Sequence, residues 1–412
     1  MTNLVKYGII CVMNTINRLY TDVIRKHLSE DRQMIFISGP RQVGKTTLGE
    51  GFQSVYLNWD KTKDRAIILG GEDAVMEFAG GDRPRAQKPV LVLDEIHHYG
   101  KWKSFLKGFF DAYWKNISVI VTGSARLNVY KRGGDSLMGR YFPYRVHPLS
   151  VGELLDPHPL QEEIRHTPSE LAAGDWERLV MHGGFPEPYL KNSAQFTNRW
   201  RRLRFEQLLR DDIRADTNIR ELDQLEAMAQ ILSQRSGEQL VYASLGGEVQ
   251  VNEVTVRNWI SVLSSFFFGF TVRTWSSHIE NSIRKTPKWY LRDWSGLSDM
   301  GKRSETMVAC HLLKAVEFWT DMGFGEYGLH YLRDKQKREV DFLVTKDRQP
   351  WFLVEVKTGN AKLSPELGYF QKALQAKHAF QVVFDLPYEQ IDVFDYTSPV
   401  VVPAKTFLAQ LP

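Results

Sequence analysis

The chain has 412 residues, more than one domain usually holds, so two or three domains are expected. Hydrophobic residues make up 43% and charged residues 25%, the ordinary balance of a soluble globular protein, and no apolar run approaches the ~20 residues of a membrane-spanning helix. A net charge of +4 permits nucleic acid as a partner without demanding it. The two cysteines, Cys11 and Cys310, fit no zinc or redox spacing, which suits a reducing, cytoplasmic setting.

Residues from about Asn17 to Leu28 read as an amphipathic helix with Leu19, Val23, Ile24 and Leu28 on one side. Met34-Ile35-Phe36-Ile37 is an apolar strand, and Val55–Asn58 reads as another. Gly70–Pro89 is rich in Gly, Asp and Pro and reads as helix plus loop. Val90–Leu93 and Val119–Thr122 are continuous apolar runs, as in strands buried on both faces of a parallel sheet. A helix over Trp102–Trp114 separates them, and Tyr144–Leu149 reads as one more strand. This alternation predicts an α/β domain with ligands at the carboxyl ends of its strands. From Val151 to about Ile231 the chain reads as mostly helical. Ser244–Leu263 reads as two short helices around a turn, followed by aromatic strands. A helix after Gly301 then leads into a second α/β unit.

The first strand ends in Gly39-Pro40-Arg41-Gln42-Val43-Gly44-Lys45-Thr46-Thr47, which has the form G-x-x-x-x-G-K-T. Its glycines let successive N–H groups curl around a phosphate. Lys45 adds a charge for the β- and γ-phosphates, and Thr46 offers a hydroxyl to Mg²⁺. The helix that starts here adds its positive end. ATP with Mg²⁺ is therefore the expected ligand. Asp94 and Glu95 end the next buried strand, where an aspartate can hold Mg²⁺ and a glutamate can orient or deprotonate the attacking water. Two readings stand for Ser124, a γ-phosphate sensor or a helix N-cap. Two also stand for Arg140, an arginine finger aimed at a neighbouring subunit's nucleotide or a surface arginine.

A second constellation lies near the C-terminus. Glu339–Val344 and Trp351–Lys357 read as paired strands across the polar turn Lys346–Pro350. Glu355 and Lys357 share a face, and pairing would set Asp341 beside Glu355. Two such carboxylates suit Mg²⁺ or Mn²⁺, and the lysine can position water or stabilise a pentavalent phosphate. This D…E-x-K pattern resembles the PD-(D/E)XK nuclease fold, in which a glutamate on the preceding helix, here Glu305, joins the metal site.

The motifs together resemble AAA-type ATPases of the AAA_14 class with a C-terminal DUF4143 region. The loop Gly39–Thr47, Leu93-Asp94-Glu95-Ile96-His97, Thr122-Gly123-Ser124, Gly139–Pro143, His182–Glu187, Arg210–Ile213, Val254–Ile260 and Lys285–Tyr290 carry the resemblance. After the last, Asp293-Trp294-Ser295-Gly296-Leu297 departs from the usual aspartate–threonine–glycine–leucine run. The resemblance implies an ATPase core over 1–150, a helical lid over 151–235, a winged-helix segment over 236–300 and a nuclease-like domain over 301–412. In it, Gly184-x-Pro186 looks like a lid motif near the nucleotide.

In the winged-helix segment, Val256, Trp259, Ile260 and Leu263 are expected to face inward, and Arg257, Asn258 and Ser261 outward, toward DNA or a protein partner. Arg199, Arg201, Arg202 and Arg204 read either as a phosphate-neutralising cluster or as a solvated or inter-subunit face. Arg284-Lys285, with Lys288 nearby, reads either as the flank of a groove or as an ordinary solvated loop. The leading expectation is an ATP-hydrolysing homo-oligomer that cleaves or remodels DNA in an Mg²⁺-dependent way. The alternative is a nucleotide-controlled regulatory switch whose winged-helix and C-terminal domains bind without cutting.

Overall fold

The computed structural model describes residues 16–53, 55–83, 87–123, 137–158, 161–214, 217, 219–276, 286–359 and 362–412. Five short apolar runs make the first sheet: β1 (Met34–Ser38), β2 (Val55–Asn58), β3 (Val90–Asp94), β4 (Ser118–Thr122) and β5 (Tyr141–Arg145). All neighbours are parallel, in the order β2-β3-β4-β1-β5. Ile35, Leu91, Val92, Leu93 and Ile120 are wholly buried, as continuous apolar runs inside a covered parallel sheet should be. Because β4 lies between β1 and β3, the carboxyl ends of all three stand side by side. That edge holds the glycine-rich loop, Asp94-Glu95 and Thr122-Gly123.

The last strand of this sheet starts three residues earlier than its apolar residues suggest. Pro143 pairs with Phe36 inside it. A proline is tolerated there because β5 is an edge strand, whose outward N–H has no strand to bond.

One face of the sheet packs Phe36, Leu93 and Val121 against Phe105 and Phe109 of the helix Trp102–Tyr113. The other face shares a core with Val23 and Ile24 of the helix Tyr20–Glu30 and with Leu19 just before it, and this core continues into Phe318 and Trp319 far downstream. The chain then runs through the helices Val151–Leu155, Ala173–His182, Pro186–Lys191 and Ala194–Gln207. The last passes without a break into a π-helical turn, Leu208–Ile213. Three more helices follow, Leu222–Gln234, Tyr242–Val249 and Glu253–Ser265. In the third, Val256, Trp259, Ile260 and Leu263 are buried, while Arg257, Asn258 and Ser261 are exposed. Its cap is Asn252, whose Oδ1 accepts from Thr255 N at 2.8 Å.

The second sheet has seven strands: β6 (Gly269–Thr274), β7 (Lys288–Leu291), β8 (Tyr327–Arg333), β9 (Glu339–Lys346), β10 (Gln349–Lys357), β11 (His378–Val383) and β12 (Val400–Pro403). Their order is β12-β11-β10-β9-β8-β6-β7. β8, β9 and β10 are antiparallel neighbours, and β11 runs parallel to β10 after the crossover helix Pro365–Leu374. A 22-residue helix, Met300–Asp321, precedes β8 and packs on this sheet. Since β6 and β7 come from before residue 300, the sheet continues across the domain boundary expected there.

The β9–β10 turn is tighter than its polar composition suggests. Only Asp347 and Arg348 lie between the strands, at φ of 50° and 65°. Two positive φ values fit a type I′ hairpin, whose twist matches the flanking strands. Asp347 Oδ1 steadies the turn by accepting from Glu326 N at 2.9 Å.

Candidate functional site

Local backbone geometry shapes the glycine-rich loop. Gly39 has φ of 152°, and a Cβ there would lie 2.3 Å from Val146 O, so only glycine fits. Gly44 has φ of 96°, left-handed, just before the helix Lys45–Glu50. Pro40 and Val43 are buried behind the loop, whereas Arg41, Gln42, Thr46 and Thr47 are exposed on it. Lys45 is only 7% exposed, and its Nζ donates to Gly39 O at 2.9 Å and Pro40 O at 2.7 Å. Burial pulls the Lys45 ammonium down to about 8, although Glu95 and Asp94 oppose the shift.

Asp94 is fixed from several sides. Its Oδ1 accepts from Thr122 Oγ1 at 2.6 Å, and its Oδ2 from Tyr56 OH at 2.5 Å and Thr46 Oγ1 at 3.2 Å. A loop hydroxyl and a strand-end carboxylate thus meet at one point, a hard-oxygen donor pair that fits Mg²⁺. Glu95 follows in the left-handed region at φ of 53°. For a residue with a Cβ this costs about 1–2 kcal/mol, and strain of this kind gathers at working sites. Glu95 Oε2 accepts no hydrogen bond, although His97 Nε2 lies 3.4 Å away. Burial, followed by the Asp94 charge, raises the Glu95 carboxyl. Ligand atoms of Glu95, His97 and His98 all lie within 4.8 Å of one another.

These groups open into a cleft of about 1150 Å³ between the sheet edge and the helices that follow. Pro186, Glu187 and Leu190 form part of the far wall, so the Gly184-x-Pro186 element does border the cleft. Arg41 crosses it to pair with Asp212 of the π-helical turn at 2.8 Å. Arg204 also lines it, its guanidinium stacked 4.2 Å over the Phe185 ring. The arginine cluster therefore does not form one basic face. Arg204 turns inward, Arg201 donates to Ser295 O at 2.8 Å, and Arg202 pairs with Glu206.

Arg140 lies at the start of β5, the opposite end of the sheet from the phosphate loop, and is bidentate to Asp111 at 2.8 Å. It is not brought to its own chain's cleft. Ser124 and Arg284-Lys285 lie outside the described residues. Asp293 caps a short turn, accepting from Ser295 N at 3.0 Å.

The second site gathers at the β9–β10 pair. Val356 N donates to Asp341 Oδ2 at 2.9 Å, and Asp341 N to Glu355 Oε2 at 3.4 Å, so the two carboxylates are neighbours. Lys357 Nζ donates to Glu355 Oε1 at 2.8 Å. Glu305, near the start of the long helix, joins them. Burial, then the Asp341 charge, raises Glu305 and Glu355 each to about 7.

Lys288 departs from both readings of its basic run. It is 4% exposed, and its Nζ lies 2.7 Å from Glu339 Oε1, 3.3 Å from Glu305 Oε1 and 3.6 Å from Asp341 Oδ1. Burial works against its charge, but these three carboxylates outweigh it and hold the ammonium protonated. Tyr290 OH also donates to Glu305 Oε1, at 2.7 Å. Only the alternation Lys288-x-Tyr290, which sets both residues on one face of β7, hinted at this from the sequence.

The long helix also reaches back to the first domain. Lys314 Nζ donates to Glu153 Oε2 at 2.6 Å, while Arg18 Nε donates to Glu153 Oε1 at 2.9 Å. Arg18 Nη1 in turn donates to Val43 O of the phosphate loop at 2.5 Å. Burial alone would raise the Glu153 carboxyl, yet Arg18 and Lys314 hold it down at about 2. Further along the helix, Asp321 pairs with Arg145, and Glu317 with His147 at 2.6 Å.

An AAA domain model, AAA_14, matches residues 31–155. Domains of unknown function match the rest, DUF8612 over 173–305 and DUF4143 over 300–406. The chain is 23% identical over 300 residues to an uncharacterized protein of Methanocaldococcus jannaschii, covering 64% of this chain and 62% of that one. It therefore spans less than two thirds of that relative's length. An uncharacterized protein of Mycobacterium tuberculosis is 20% identical over 343 residues, covering 80% of this chain and 72% of that protein. Among solved structures, a Thermotoga maritima RuvB variant is similar at 15% identity and a TM-score of 0.27, covering 61% of this chain and 86% of that one. A signal transduction ATPase with numerous domains and a tetratricopeptide repeat sensor, from Pyrococcus horikoshii, is similar at 14% identity and a TM-score of 0.27. That match covers 73% of this chain and 47% of the other. Among the described residues, no helix is long and apolar enough to cross a membrane.

Proposed function

Because the chain joins an AAA_14 domain to a DUF4143 region, we propose that it is an Mg²⁺-dependent ATP hydrolase whose nucleotide cycle controls a metal-dependent phosphodiester site on DNA. The observation that carries the first half is the meeting of Lys45, Thr46, Asp94 and Glu95 at one edge of the parallel sheet. Lys45 rests on two loop carbonyls and can turn to the β- and γ-phosphates without breaking an ion pair. Thr46 and Asp94 would hold Mg²⁺, which supplies charge neutralisation at the phosphates. Glu95, with a raised carboxyl and a free oxygen, orients the attacking water and takes its proton. Arg41 and Arg204 bring positive charge from the loop and the helical wall.

The second half is supported by the order helix, three antiparallel strands, helix, parallel strand over Met300–Val383, with Glu305, Asp341, Glu355 and Lys357 converging on it. That is the arrangement a PD-(D/E)XK nuclease would present. The helix pair Tyr242–Val249 and Glu253–Ser265 with β6 and β7 supports a winged-helix reading, in which Arg257 and Asn258 face DNA. A homo-oligomer in which Arg140 serves a neighbour's nucleotide belongs to the same proposal. The Arg18–Glu153–Lys314 chain supplies a physical path from the phosphate loop to the helix that bears Glu305.

A second reading, a nucleotide-controlled switch that binds without cutting, is favoured by one feature. Lys288 already compensates the carboxylates that a metal would need. Phosphate release by wild type and Lys45→Ala tests the first half. Full turnover in the variant would remove the phosphate-loop assignment. Mn²⁺-dependent DNA cleavage by wild type and Lys357→Ala separates the two readings. Cleavage lost in the variant supports the nuclease, and no cleavage by either protein supports the switch.

A further inference from the structure

The C-terminal site has two halves with different occupants. In one half, Glu305, Glu339 and Asp341 turn toward the single ammonium of Lys288, whose side chain is 6% exposed. Lys288 comes from β7, which β6 and β8 separate from β9 in the strand order, yet its Nζ meets carboxylates on β9 and lies 5.6 Å from the Tyr331 ring. Glu305 has a second protein donor in Tyr290, and Glu339 pairs with Arg333 as well, at 2.5 Å. In the other half, Asp341 Oδ1 lies 3.6 Å from Lys288, beyond hydrogen-bond range, and Glu355 Oε2 accepts from Asp341 N alone among the described residues, at 3.4 Å.

We infer that Lys288 is the resident cation of this site, filling with its ammonium the place that one of two divalent ions would take. One exchangeable Mg²⁺ or Mn²⁺ is left to Asp341 and Glu355. The inference rests on the metal-site reading of the C-terminal domain given above, and it adds a fixed stoichiometry.

Charge balance supports it. Four carboxylates, Glu305, Glu339, Asp341 and Glu355, face three cations, Lys288, Arg333 and Lys357. These cations already offset most of the acidic charge, and a second divalent ion would have to displace an ammonium that Glu339 and Glu305 hold. The Lys288 ammonium has Glu339 Oε1 and Glu305 Oε1 within hydrogen-bond range, with Asp341 Oδ1 just outside it. It cannot exchange with solvent as a metal ion does, so this half of the site stays filled whatever the free metal concentration. A lysine retained only for packing would gain nothing from three acidic neighbours, since Met or Leu of similar length fills the same space.

The test is Mn²⁺ binding to the nucleotide-free full chain, followed by electron paramagnetic resonance. Asp341→Asn subtracts ions bound elsewhere, including any at Thr46 and Asp94. Wild type should bind one Asp341-dependent Mn²⁺ per chain. Lys288→Met and Lys288→Gln should bind two, or bind the first at least about tenfold more tightly. If Lys288→Met is unfolded without metal, added Mn²⁺ must restore its melting transition; failure to restore it overturns the inference. Two Asp341-dependent ions in wild type, or identical number and affinity in wild type and both variants, overturn the role of Lys288 and leave the metal site standing. Absence of Asp341-dependent Mn²⁺ from wild type and variants alike overturns both this inference and the metal-site reading.

Discussion

Two buried lysines stand at the two candidate sites, and their surroundings differ in kind. Lys45 lies against two neutral carbonyls, which accept from its ammonium but do not balance its charge. Its ammonium is drawn down to about 8. Lys288 lies among carboxylates that balance its charge more than fully. A charge parked on carbonyls is poised to move to a ligand that offers more, whereas a charge locked among carboxylates is part of the frame. On the proposed reading, the same side chain is a mobile ligand-binding group at one site and a fixed cation at the other.

The comparison breaks if the two lysines respond alike to removal. Lys45→Ala should lower ATP turnover by about 10²–10³-fold. Its thermal melting should stay close to wild type, because only carbonyl contacts are lost. Lys288→Met should do the reverse to stability, lowering it by about 3–5 kcal/mol in denaturant titration, since three carboxylates lose their shared partner. A large stability loss in the first variant, or none in the second, would reverse the assignment.

Titration sharpens it. In the free protein, neutral Lys45 accumulates as pH rises past about 8, while bound phosphates favour the ammonium. ATP binding should therefore take up a fraction of a proton between about pH 8 and the free-lysine value near 10.4. Calorimetry in buffers of different ionisation enthalpy measures this, and Lys45→Met should abolish it. Glu305 and Glu355 shift the other way. Their folded values near 7 exceed the unfolded value near 4.3, so the stability they contribute is complete below about pH 4.3. It is lost as pH rises through about 7, the range in which affinity for Mn²⁺ should increase. A smaller effect is expected at the cleft wall. Arg41→Ala, which removes the pair with Asp212, should raise the KM for ATP by a few-fold, because Arg41 is about half exposed and its pair is partly screened.

The phosphate loop was legible because its chemistry is contiguous. Gly39, Gly44, Lys45 and Thr46 lie within one turn of chain, and Asp94-Glu95 directly ends an apolar run. The Asp341–Glu355 pairing was legible too, since one hairpin fixes it. Lys288 was not. It lies more than fifty residues before Glu339, and its position depends on β6 pairing with β8 across the helix Met300–Asp321. Charged residues in a short basic run look solvated until the sheet they belong to is known. Arg204 misled for a related reason. Adjacent arginines on one helix point in different directions, and only packing against Phe185 and Trp200 shows which one turns inward. The start of β5 was hidden by Pro143, whose strand-breaking character matters only where an N–H is needed.

The Arg18–Glu153–Lys314 chain runs from the phosphate loop to the helix that bears Glu305, and the coupling proposed along it is the claim most open to a direct test. The measurement is Mn²⁺-dependent cleavage of linear, branched and single-stranded DNA by the full chain, with and without ATP, beside Lys45→Ala and Lys357→Ala. The account predicts cleavage by wild type that changes when ATP is added, loses that response in Lys45→Ala and disappears in Lys357→Ala. Cleavage that persists in Lys357→Ala, or that is indifferent to ATP in every protein, would contradict it.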